Sequence, residues 1–179
     1  MSELIVVTGP PGAGKSTVAG ILANRFDFSA LVAGDAFFAM VDRGYIDPWA
    51  DAAQHQNEVV VAAAAAAAGR MTQGGYTVVF DGVIGPWFLD AFLAATGLRE
   101  VHYAMLLPPE RICLQRVESR IGHGFTDRDA ARHMYGEFAR AANPRLRIVR
   151  STAAPEVIAT TLADLLTAGS LRVSVQRAD

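Results

Sequence analysis

A glycine-rich stretch near the start of the chain surrounds the only lysine among 179 residues. The letters GPPGAGKST (9–17) fit the pattern G-x-x-x-x-G-K-[ST], in which backbone N–H groups turn inward around phosphate oxygens. Lys15 then acts as a point charge on the β- and γ-phosphates, and the Ser16 hydroxyl takes a position on Mg²⁺. The stretch predicts a site for a nucleoside triphosphate and Mg²⁺, formed by Gly12, Ala13, Gly14, Lys15, Ser16 and Thr17.

The lysine is informative because the chain otherwise uses arginine as its cation. Fifteen arginines accompany the one lysine, so composition alone does not explain an ammonium group at this position. An ordinary turn would explain the glycines, but here an apolar run precedes the loop and a helical pattern follows it, which is the context that the pattern requires. Lys15 is therefore a candidate catalytic residue as well as a phosphate ligand.

Two aspartates follow apolar runs, at the places where a parallel sheet exposes the ends of its strands. Asp35 follows LVAG and Asp81 follows VVF. Phosphoryl transfer needs a carboxylate that orients or deprotonates the acceptor hydroxyl, and it needs acidic help for Mg²⁺. We expect Asp35 to be the base on the acceptor side and Asp81 to serve the metal or a substrate hydroxyl. Exchanged roles stay open, and so does a simple N-cap role for each, because a helix is predicted after both.

Arginines at regular spacing mark a second stretch of interest. Arg116 and Arg120 are four residues apart on one predicted helix, and Arg128 and Arg132 repeat this spacing on the next. Two such helices joined by a glycine-containing turn are typical of a lid that closes over phosphates, and we expect Arg120 and Arg128 to stabilise charge on the transferred group. The alternative is a solvated surface that is rich in arginine only through composition.

The elements that must position these residues alternate between strands and helices. Apolar runs predict five strands, and helical periodicity with Gly and Pro boundaries predicts seven helices. A capping box of Thr126 and Asp129 is expected to start the sixth helix, and the tail after residue 169 is a candidate edge strand. The alternation predicts a three-layer α/β fold with an open, mostly parallel sheet. The predicted strands are 4–9, 30–35, 76–81, 100–107 and 145–150, and the helices are 15–25, 36–42, 50–73, 86–95, 109–121, 127–142 and 155–168.

Length and composition favour one compact domain over residues 1–179, with the lid at about 116–140. Hydrophobic residues make up 51% and charged residues 19%, which excludes a disordered chain. The single cysteine, Cys113, excludes an internal disulfide and fits a reducing compartment. The N-terminus lacks signal-peptide features, and the longest apolar run (59–69) is too short to span a bilayer. We expect a cytoplasmic protein with no membrane partner.

Charge is unevenly distributed along the chain. Residues 111–150 hold nine arginines against four acids, about +5, whereas the whole chain carries −2, which leaves about −7 elsewhere. A local basic patch on an acidic protein favours a small anionic ligand, and we expect no nucleic-acid partner.

The chain resembles the small P-loop kinases, a group that includes gluconate and shikimate kinases, adenylylsulfate kinase, chloramphenicol phosphotransferase and zeta-toxin-like proteins. The motifs that carry the resemblance follow the family's order over almost the whole chain. They are GPPGAGKST, the GD of LVAGD, the DG of VVFDG, PPE followed by an R-x-x-x-R helix, and RIVRST with PEVI.

This resemblance implies a five-stranded parallel sheet in the order 2-3-1-4-5 and transfer of the ATP γ-phosphate to a small molecule. It implies that Asp35 serves the acceptor hydroxyl and that Arg116 or Arg120 lies against the adenine or the phosphates. It also implies that the loop at 151–154, with Thr152, borders the adenine.

One departure from the family bears on the acceptor. DGVIGPWF stands where shikimate kinases carry a second glycine-rich motif, which argues against a shikimate-type acceptor. We expect the acceptor pocket among aromatic residues instead, although core packing is the alternative for each of them. An aromatic pocket favours an acceptor with an apolar or ring portion, such as an antibiotic or a related natural product. The residues are Phe37, Phe38, Tyr45, Trp49, Trp87 and Phe88.

The leading hypothesis is thus an ATP-dependent kinase acting on the hydroxyl of a small molecule. A nucleoside or nucleotide kinase is the second hypothesis, and it would need basic residues on the acceptor side, where residues 36–60 contain only Arg43. A non-catalytic nucleotide-binding or toxin-like protein is the third. The sequence leaves open the acceptor, the preference for ATP or GTP, and the oligomeric state.

Overall fold

A computed structural model describes residues 2–119, 127–143 and 146–174. Within these ranges six strands form one sheet, and five of them follow the order β2-β3-β1-β4-β5 with parallel pairing throughout. The predicted fold class and strand order are therefore confirmed. The strands are β1 (Leu4–Thr8), β2 (Ser29–Ala33), β3 (Thr77–Asp81), β4 (Glu100–Leu106), β5 (Arg147–Val149) and β6 (Arg172–Ser174).

Helices cover both faces of this sheet. In the described ranges, no helix combines the length and apolarity that crossing a bilayer requires. A short 3₁₀ turn, Asp51–Ala53, precedes the longest helix. The α-helices in the same ranges are α1 (Lys15–Ala23), α2 (Gly34–Phe38), α3 (Gln54–Gln73), α4 (Pro86–Thr96), α5 (Glu110–Glu118), α6 (Arg128–Ala141) and α7 (Pro155–Thr167).

The central strand β1 is buried along its whole length. Its even-numbered residues Leu4 and Val6 pack with α3, α4 and α6, and its odd-numbered residues Ile5 and Val7 pack with α1 and α7. Successive side chains of a strand point to opposite faces, so a strand covered on both faces must be apolar throughout. The run LIVV of the sequence therefore fixes the middle of a three-layer structure.

The tail forms the expected edge strand. β6 pairs antiparallel with Glu100–His102, the first part of β4, whereas β5 pairs with the last part of β4 at Ala104–Leu106. The two short strands therefore lie beside the same edge of β4. Residues 175–179 of the predicted tail lie outside the described residues.

Several element boundaries differ from the sequence-based expectation. Helix α2, predicted at 36–42, covers Gly34–Phe38, and α3, predicted from residue 50, begins at Gln54 after the 3₁₀ turn. The predicted strand 30–35 ends at Ala33, whose register partner is Asp81, and Asp35 lies in the first turn of α2. Helix α6 begins at Arg128 with Asp127 as its N-cap, whose carboxylate accepts N–H bonds from Asp129 and Ala130 at 2.9 Å each. Three parts of the sequence-based expectation lie outside the described residues. They are the capping residue Thr126, the end of the fifth predicted helix (120–121) and the first residue of the predicted strand 145–150.

Helices α3 and α4 approach each other closely because small residues lie between them. Ala64, Ala65 and Ala68 of α3 are buried in the core on this face of the sheet. A Cβ atom added at Gly69 would overlap the backbone carbonyl oxygen of Thr96 at the end of α4. The lack of a side chain at Gly69 therefore sets how closely the two backbones approach.

This contact predicts opposite effects for the same substitution in two helices. Gly69→Ala should lower the free energy of unfolding by about 1–3 kcal/mol, because backbone must move to admit the methyl group. Gly20→Ala in α1, where an added Cβ meets nothing within 4 Å, should raise it by up to about 1 kcal/mol. Urea unfolding of both variants measures the difference. Equal gains in stability would contradict backbone contact at Gly69.

Candidate functional site

The glycine-rich loop connects β1 to α1 and is shaped by backbone that only glycine adopts readily. Gly12 has a φ of +79°, and a Cβ atom added to it would overlap the backbone carbonyl of Cys113 in α5. Gly14 is the N-cap of α1 and has no side-chain cap. The loop therefore presents the N–H groups of the first turn of α1 in the arrangement that binds anions.

Lys15 begins α1 and lies over the loop that precedes it. Its Nζ atom donates a hydrogen bond to the carbonyl oxygen of Pro10 at 3.2 Å. Lys15 is half-buried, whereas the Ser16 and Thr17 side chains are exposed at the start of the helix. The predicted phosphate-binding residues 12–17 are thus gathered in one loop and helix start.

Helix α5 supports the loop from the side. The Nη1 atom of Arg116 donates to the carbonyl oxygen of Gly12 at 3.3 Å, and the backbone of Cys113 lies against the same glycine. One of the two arginines predicted to meet the nucleotide is therefore in contact with the loop. The other, Arg120, lies outside the described residues.

The Cys113 thiol is buried beneath the loop. Burial raises its pKa to about 11, although the positive charges of Arg116 and Lys15 act in the opposite direction. The thiol is therefore uncharged at neutral pH, and Cys113 contributes packing to the floor of the loop rather than a nucleophile.

Both predicted aspartates lie at the edge of the sheet where the loop begins. Asp81 is the last residue of β3 and is in register with Val7 of β1 and Ala33 of β2. It is half-buried, and Asp35 is exposed in the first turn of α2. Because the carboxyl ends of parallel strands share one edge of a sheet, both residues lie at the edge from which the glycine-rich loop starts. Ser16 and Asp81 offer the oxygen ligands that Mg²⁺ prefers, so the chemistry of the site fits this ion.

A small pocket lies beside Asp35. Its other walls are almost entirely apolar and come from α2, from α3 and from the segment after β3. Phe38 lines it as expected, but the contribution of α3 was not anticipated from the sequence. The valines in the first half of α3 could have indicated this contribution, because an apolar helix face packs against other parts of the protein or lines a pocket. The residues lining the pocket are Gly34, Asp35, Phe38, Val60, Val61, Ala64, Phe80, Gly82, Val83 and Ile84.

Three of the other aromatic residues predicted near the acceptor divide into two groups. Phe37 and Phe88 are partly buried and pack against the main core, as the core-packing alternative expected. Trp87 does not line the pocket beside Asp35. It is 45% exposed and packs edge-on against Phe138 of α6, with ring centroids 5.1 Å apart. The structure therefore brings Asp35 and Phe38 together and leaves Trp87 beside the helix that carries Arg128.

Tyr45 lies near Asp35 in a loop that α3 holds in place. Partial burial, and then the carboxylates of Asp47 and Asp35, raise the Tyr45 pKa. The Gln56 side-chain amide exchanges two hydrogen bonds with the backbone of Ile46, at 2.8 and 2.6 Å. These bonds tie the loop to α3, next to Asp35.

The arginines of α6 are paired with carboxylates. Arg128 contacts Glu118 of α5 at 2.9 Å, and Arg132 contacts Asp129 at 3.0 Å and Glu110 at 3.7 Å. Both arginines, with Glu110 and Glu118, border an open groove of about 310 Å³ between α5 and α6. Arg128 is therefore positioned by an ion pair to the helix that supports the phosphate loop.

Thr152 follows β5 and is exposed. The N–H of its neighbour Ala153 donates to the Ser151 hydroxyl oxygen at 3.1 Å, which shapes the turn before α7. Since β5 is parallel to β4, this turn lies at the same edge of the sheet as the phosphate loop.

The sheet order, the loop and its flanking elements define the P-loop kinase fold. Residues 8–135 match the model of a family described as AAA domain (AAA_17), and the chain belongs to this family. No curated protein matches the sequence.

Solved structures with the same fold are distant in sequence. A sugar kinase from a Janibacter species has a TM-score of 0.72 and 19% identity, covering 93% of this chain and 95% of that one. A tunicamycin resistance protein from Deinococcus radiodurans has a TM-score of 0.69 and 17% identity, over 93% and 96%. Shikimate kinase from Acinetobacter baumannii has a TM-score of 0.59 and 17% identity, over 96% of each chain. At these identities the likeness concerns the fold.

The position of Cys113 predicts a slow thiol reaction in the folded protein. Because burial raises the pKa of this thiol to about 11, the thiolate is about a hundredfold scarcer at neutral pH than in the unfolded chain. Labelling with a disulfide reagent should therefore be at least about a hundredfold slower in the native protein than in urea. A control chain with Cys113→Ala and Ser170→Cys, which moves the thiol to an exposed turn, should react quickly when folded. Equally fast labelling of native Cys113 would contradict its burial under the loop.

Proposed function

We propose that this protein is an ATP-dependent kinase that transfers the γ-phosphate of ATP to a hydroxyl group of a small molecule. One observation carries the proposal: a carboxylate, Asp35, lines an otherwise apolar pocket at the same edge of the sheet as the phosphate loop. The membership of the AAA_17 family and the kinase fold support it.

The phosphate side of the reaction uses the loop and the start of α1. The backbone N–H groups of residues 12–17 and the Lys15 ammonium would hold the β- and γ-phosphates. The Ser16 hydroxyl and, through water, the Asp81 carboxylate would hold Mg²⁺. When bound, this ion neutralises charge on the phosphate oxygens. Arg116, already bonded to Gly12, and Thr152 would border the nucleotide.

The acceptor side uses Asp35. Its carboxylate would accept the proton of the acceptor hydroxyl as that oxygen forms a bond to the γ-phosphorus and the bond to the leaving ADP breaks. Asp35 lies in the first turn of α2, so it is held beside the strand end while remaining accessible. The exchanged assignment, with Asp81 as the base, is distinguished by comparing the two variants below.

The walls of the pocket favour an acceptor with an apolar portion beside its hydroxyl. Val60, Val61 and Phe38 offer hydrophobic contact, and the lining contains no basic side chain. A nucleoside monophosphate would need such a cation for its phosphate. The apolar lining suits the apolar portion of an antibiotic or a related natural product better, and the fold shared with a tunicamycin resistance protein supports testing this class first.

The test is a screen for ADP release with hydroxylated antibiotics, sugars, other metabolites, nucleosides and nucleotides as acceptors, with Lys15→Ala as the blank. Turnover with an uncharged, partly apolar alcohol would support the proposal. Turnover with nucleosides or nucleotides alone would favour the second hypothesis. Binding of ATP without turnover on any acceptor would favour a non-catalytic protein.

The proposed base predicts a loss of turnover without loss of nucleotide affinity. Asp35→Asn should lower kcat by about 10²- to 10⁴-fold, because the amide cannot accept the proton. Its Kd for ATP, measured by calorimetry, should stay within about twofold, since the side chain faces the acceptor. Asp42→Asn removes an exposed carboxylate from the same segment and serves as the matched control. If Asp35→Asn kept full activity and Asp81→Asn lost it at unchanged metal affinity, the base would be Asp81.

The proposed lid arginine predicts different outcomes for the two partners of one ion pair. Arg128→Gln should lower kcat by about tenfold or more, since arginine contacts in phosphoryl transfer are worth up to ~10³- to 10⁵-fold. Glu118→Gln should leave kcat unchanged or raise it, because it frees the guanidinium. Neither change should alter the unfolding free energy by more than about 1 kcal/mol, since the pair is half-exposed. Arg140→Gln is the control. If all variants had the same kinetics, Arg128 would form only a surface ion pair and would have no role in phosphoryl transfer.

A further inference from the structure

A buried hydrogen-bond cluster joins the end of β1, the segment after β3 and the middle of β4. The Thr8 hydroxyl donates to the carbonyl oxygen of Ile84 at 3.0 Å and accepts from the N–H of Ile84 at 2.9 Å. The Tyr103 hydroxyl donates to the same carbonyl at 2.8 Å. We name these three residues the Ile84 clamp. Thr8 and Tyr103 are 0% exposed and Ile84 is 2% exposed.

The clamp supplies hydrogen bonds where the backbone has no regular structure. Ile84 lies between the end of β3 and the start of α4, so neither a strand nor a helix pairs its N–H and C=O groups. Leaving such groups unpaired in the interior would cost about 1–3 kcal/mol each. Burial raises the Tyr103 pKa, so its hydroxyl stays protonated and can donate across the working pH range.

The position of the clamp relates two parts of the candidate site. Thr8 directly precedes Gly9, the first residue of the glycine-rich loop. Ile84 is three residues after Asp81, and together with Gly82 and Val83 it lines the pocket beside Asp35. The clamp therefore connects the root of the phosphate loop to one wall of the acceptor pocket through two hydrogen bonds between Thr8 and Ile84.

We propose that Thr8 and Tyr103 are positioning residues that act through the backbone of Ile84 to hold the acceptor wall at a fixed distance from the phosphate loop. This inference rests on the proposed function, because it assigns the wall to the acceptor. Thr8 and Tyr103 touch neither reactant. They limit where the acceptor hydroxyl can lie relative to the γ-phosphate, and in-line transfer depends on that alignment.

The Ile84 clamp differs from ordinary core packing in a way that can be tested. Thr8→Val keeps the volume and the branched shape of the side chain and removes only the two hydrogen bonds to Ile84. Thr96 offers a matched control, because its buried hydroxyl also makes two hydrogen bonds. It donates to the Leu93 carbonyl oxygen at 2.7 Å and accepts from the Leu98 N–H at 3.1 Å. It is 3% exposed and lies at the far end of α4 from the pocket.

The experiment compares Thr8→Val, Thr8→Ser, Tyr103→Phe and Thr96→Val by three measurements. Hydrogen exchange of the Ile84 amide reports the clamp directly. Calorimetry gives the Kd for ATP, and steady-state kinetics with the acceptor identified by ADP release gives kcat and KM. Thermal unfolding confirms that each variant is folded at the assay temperature, and Tyr103→Phe remains as a milder test if Thr8→Val does not fold.

We expect Thr8→Val to lose protection of the Ile84 amide and to lower kcat/KM for the acceptor by about tenfold or more, with the Kd for ATP changed less than about twofold. Thr8→Ser keeps the hydroxyl and should restore both properties. Tyr103→Phe should have a smaller effect in the same direction, since Thr8 still bonds both polar groups of Ile84. Thr96→Val should lose stability but keep acceptor kinetics.

Three results would overturn the inference. In the first, the Ile84 amide of Thr8→Val stays protected from exchange. In the second, Thr8→Val and Thr96→Val lose kcat/KM equally. In the third, Thr8→Val weakens the affinity for ATP as much as it lowers kcat/KM for the acceptor. Failure of the proposed function looks different, because the wild-type protein would then turn over no acceptor. The exchange measurement on Ile84 and the ATP affinity would still decide whether the clamp holds the wall.

Discussion

Strand β1 forms parallel hydrogen-bond ladders with β3 on one side and β4 on the other, and the candidate site depends on this pairing. It places the end of β1, where the glycine-rich loop starts, beside Asp81 on β3. It also places Tyr103 of β4 in register with Val6, close enough for its hydroxyl to reach the segment after β3. A shift of one residue in either ladder would turn these side chains to the opposite face of the sheet.

The glycine-rich loop is held by helix α5 through one backbone contact and one side-chain hydrogen bond, both at Gly12. Gly12 lies against the carbonyl of Cys113, and Arg116 bonds the Gly12 carbonyl from the same helix. Neutral packing beneath the loop, with an uncharged thiol, leaves the positive charge of Lys15 and Arg116 on the side where an anion would bind. The loop therefore has an uncharged, buried thiol beneath it and two cations that bond its carbonyl oxygens.

Local sequence patterns were sufficient to predict the open, mostly parallel sheet, the described helices and the loop, whereas the strand order 2-3-1-4-5 came only from the resemblance to the small P-loop kinases. β-branched runs, glycines with positive φ and the proline starting α4 act within a few residues, so one sequence contains their signal. Long-range contacts were harder to predict. The end of β2 at Ala33 depends on its partner Asp81, and Trp87 packs on Phe138, which is distant in sequence. The sequence analysis named Thr126 as the cap of α6, and only the fold showed the Asp127 carboxylate accepting two N–H bonds. The roles of Lys15, Asp35 and Asp81 stay predictions, because geometry places these residues without testing their chemistry.

The pairing of β6 with β4 bears on self-association of the protein through the edge of its sheet. A long apolar strand at the rim of a sheet is a template on which a second molecule can add a strand and begin an aggregate. Here the first part of β4 is covered by β6, whose Arg172 forms ion pairs with Glu100 at 3.4 Å and Glu3 at 4.0 Å. The rim strand is short and carries charge, and both properties disfavour further strand addition. We expect the last described strand to disfavour self-association, and it lies at the opposite end of β4 from the glycine-rich loop.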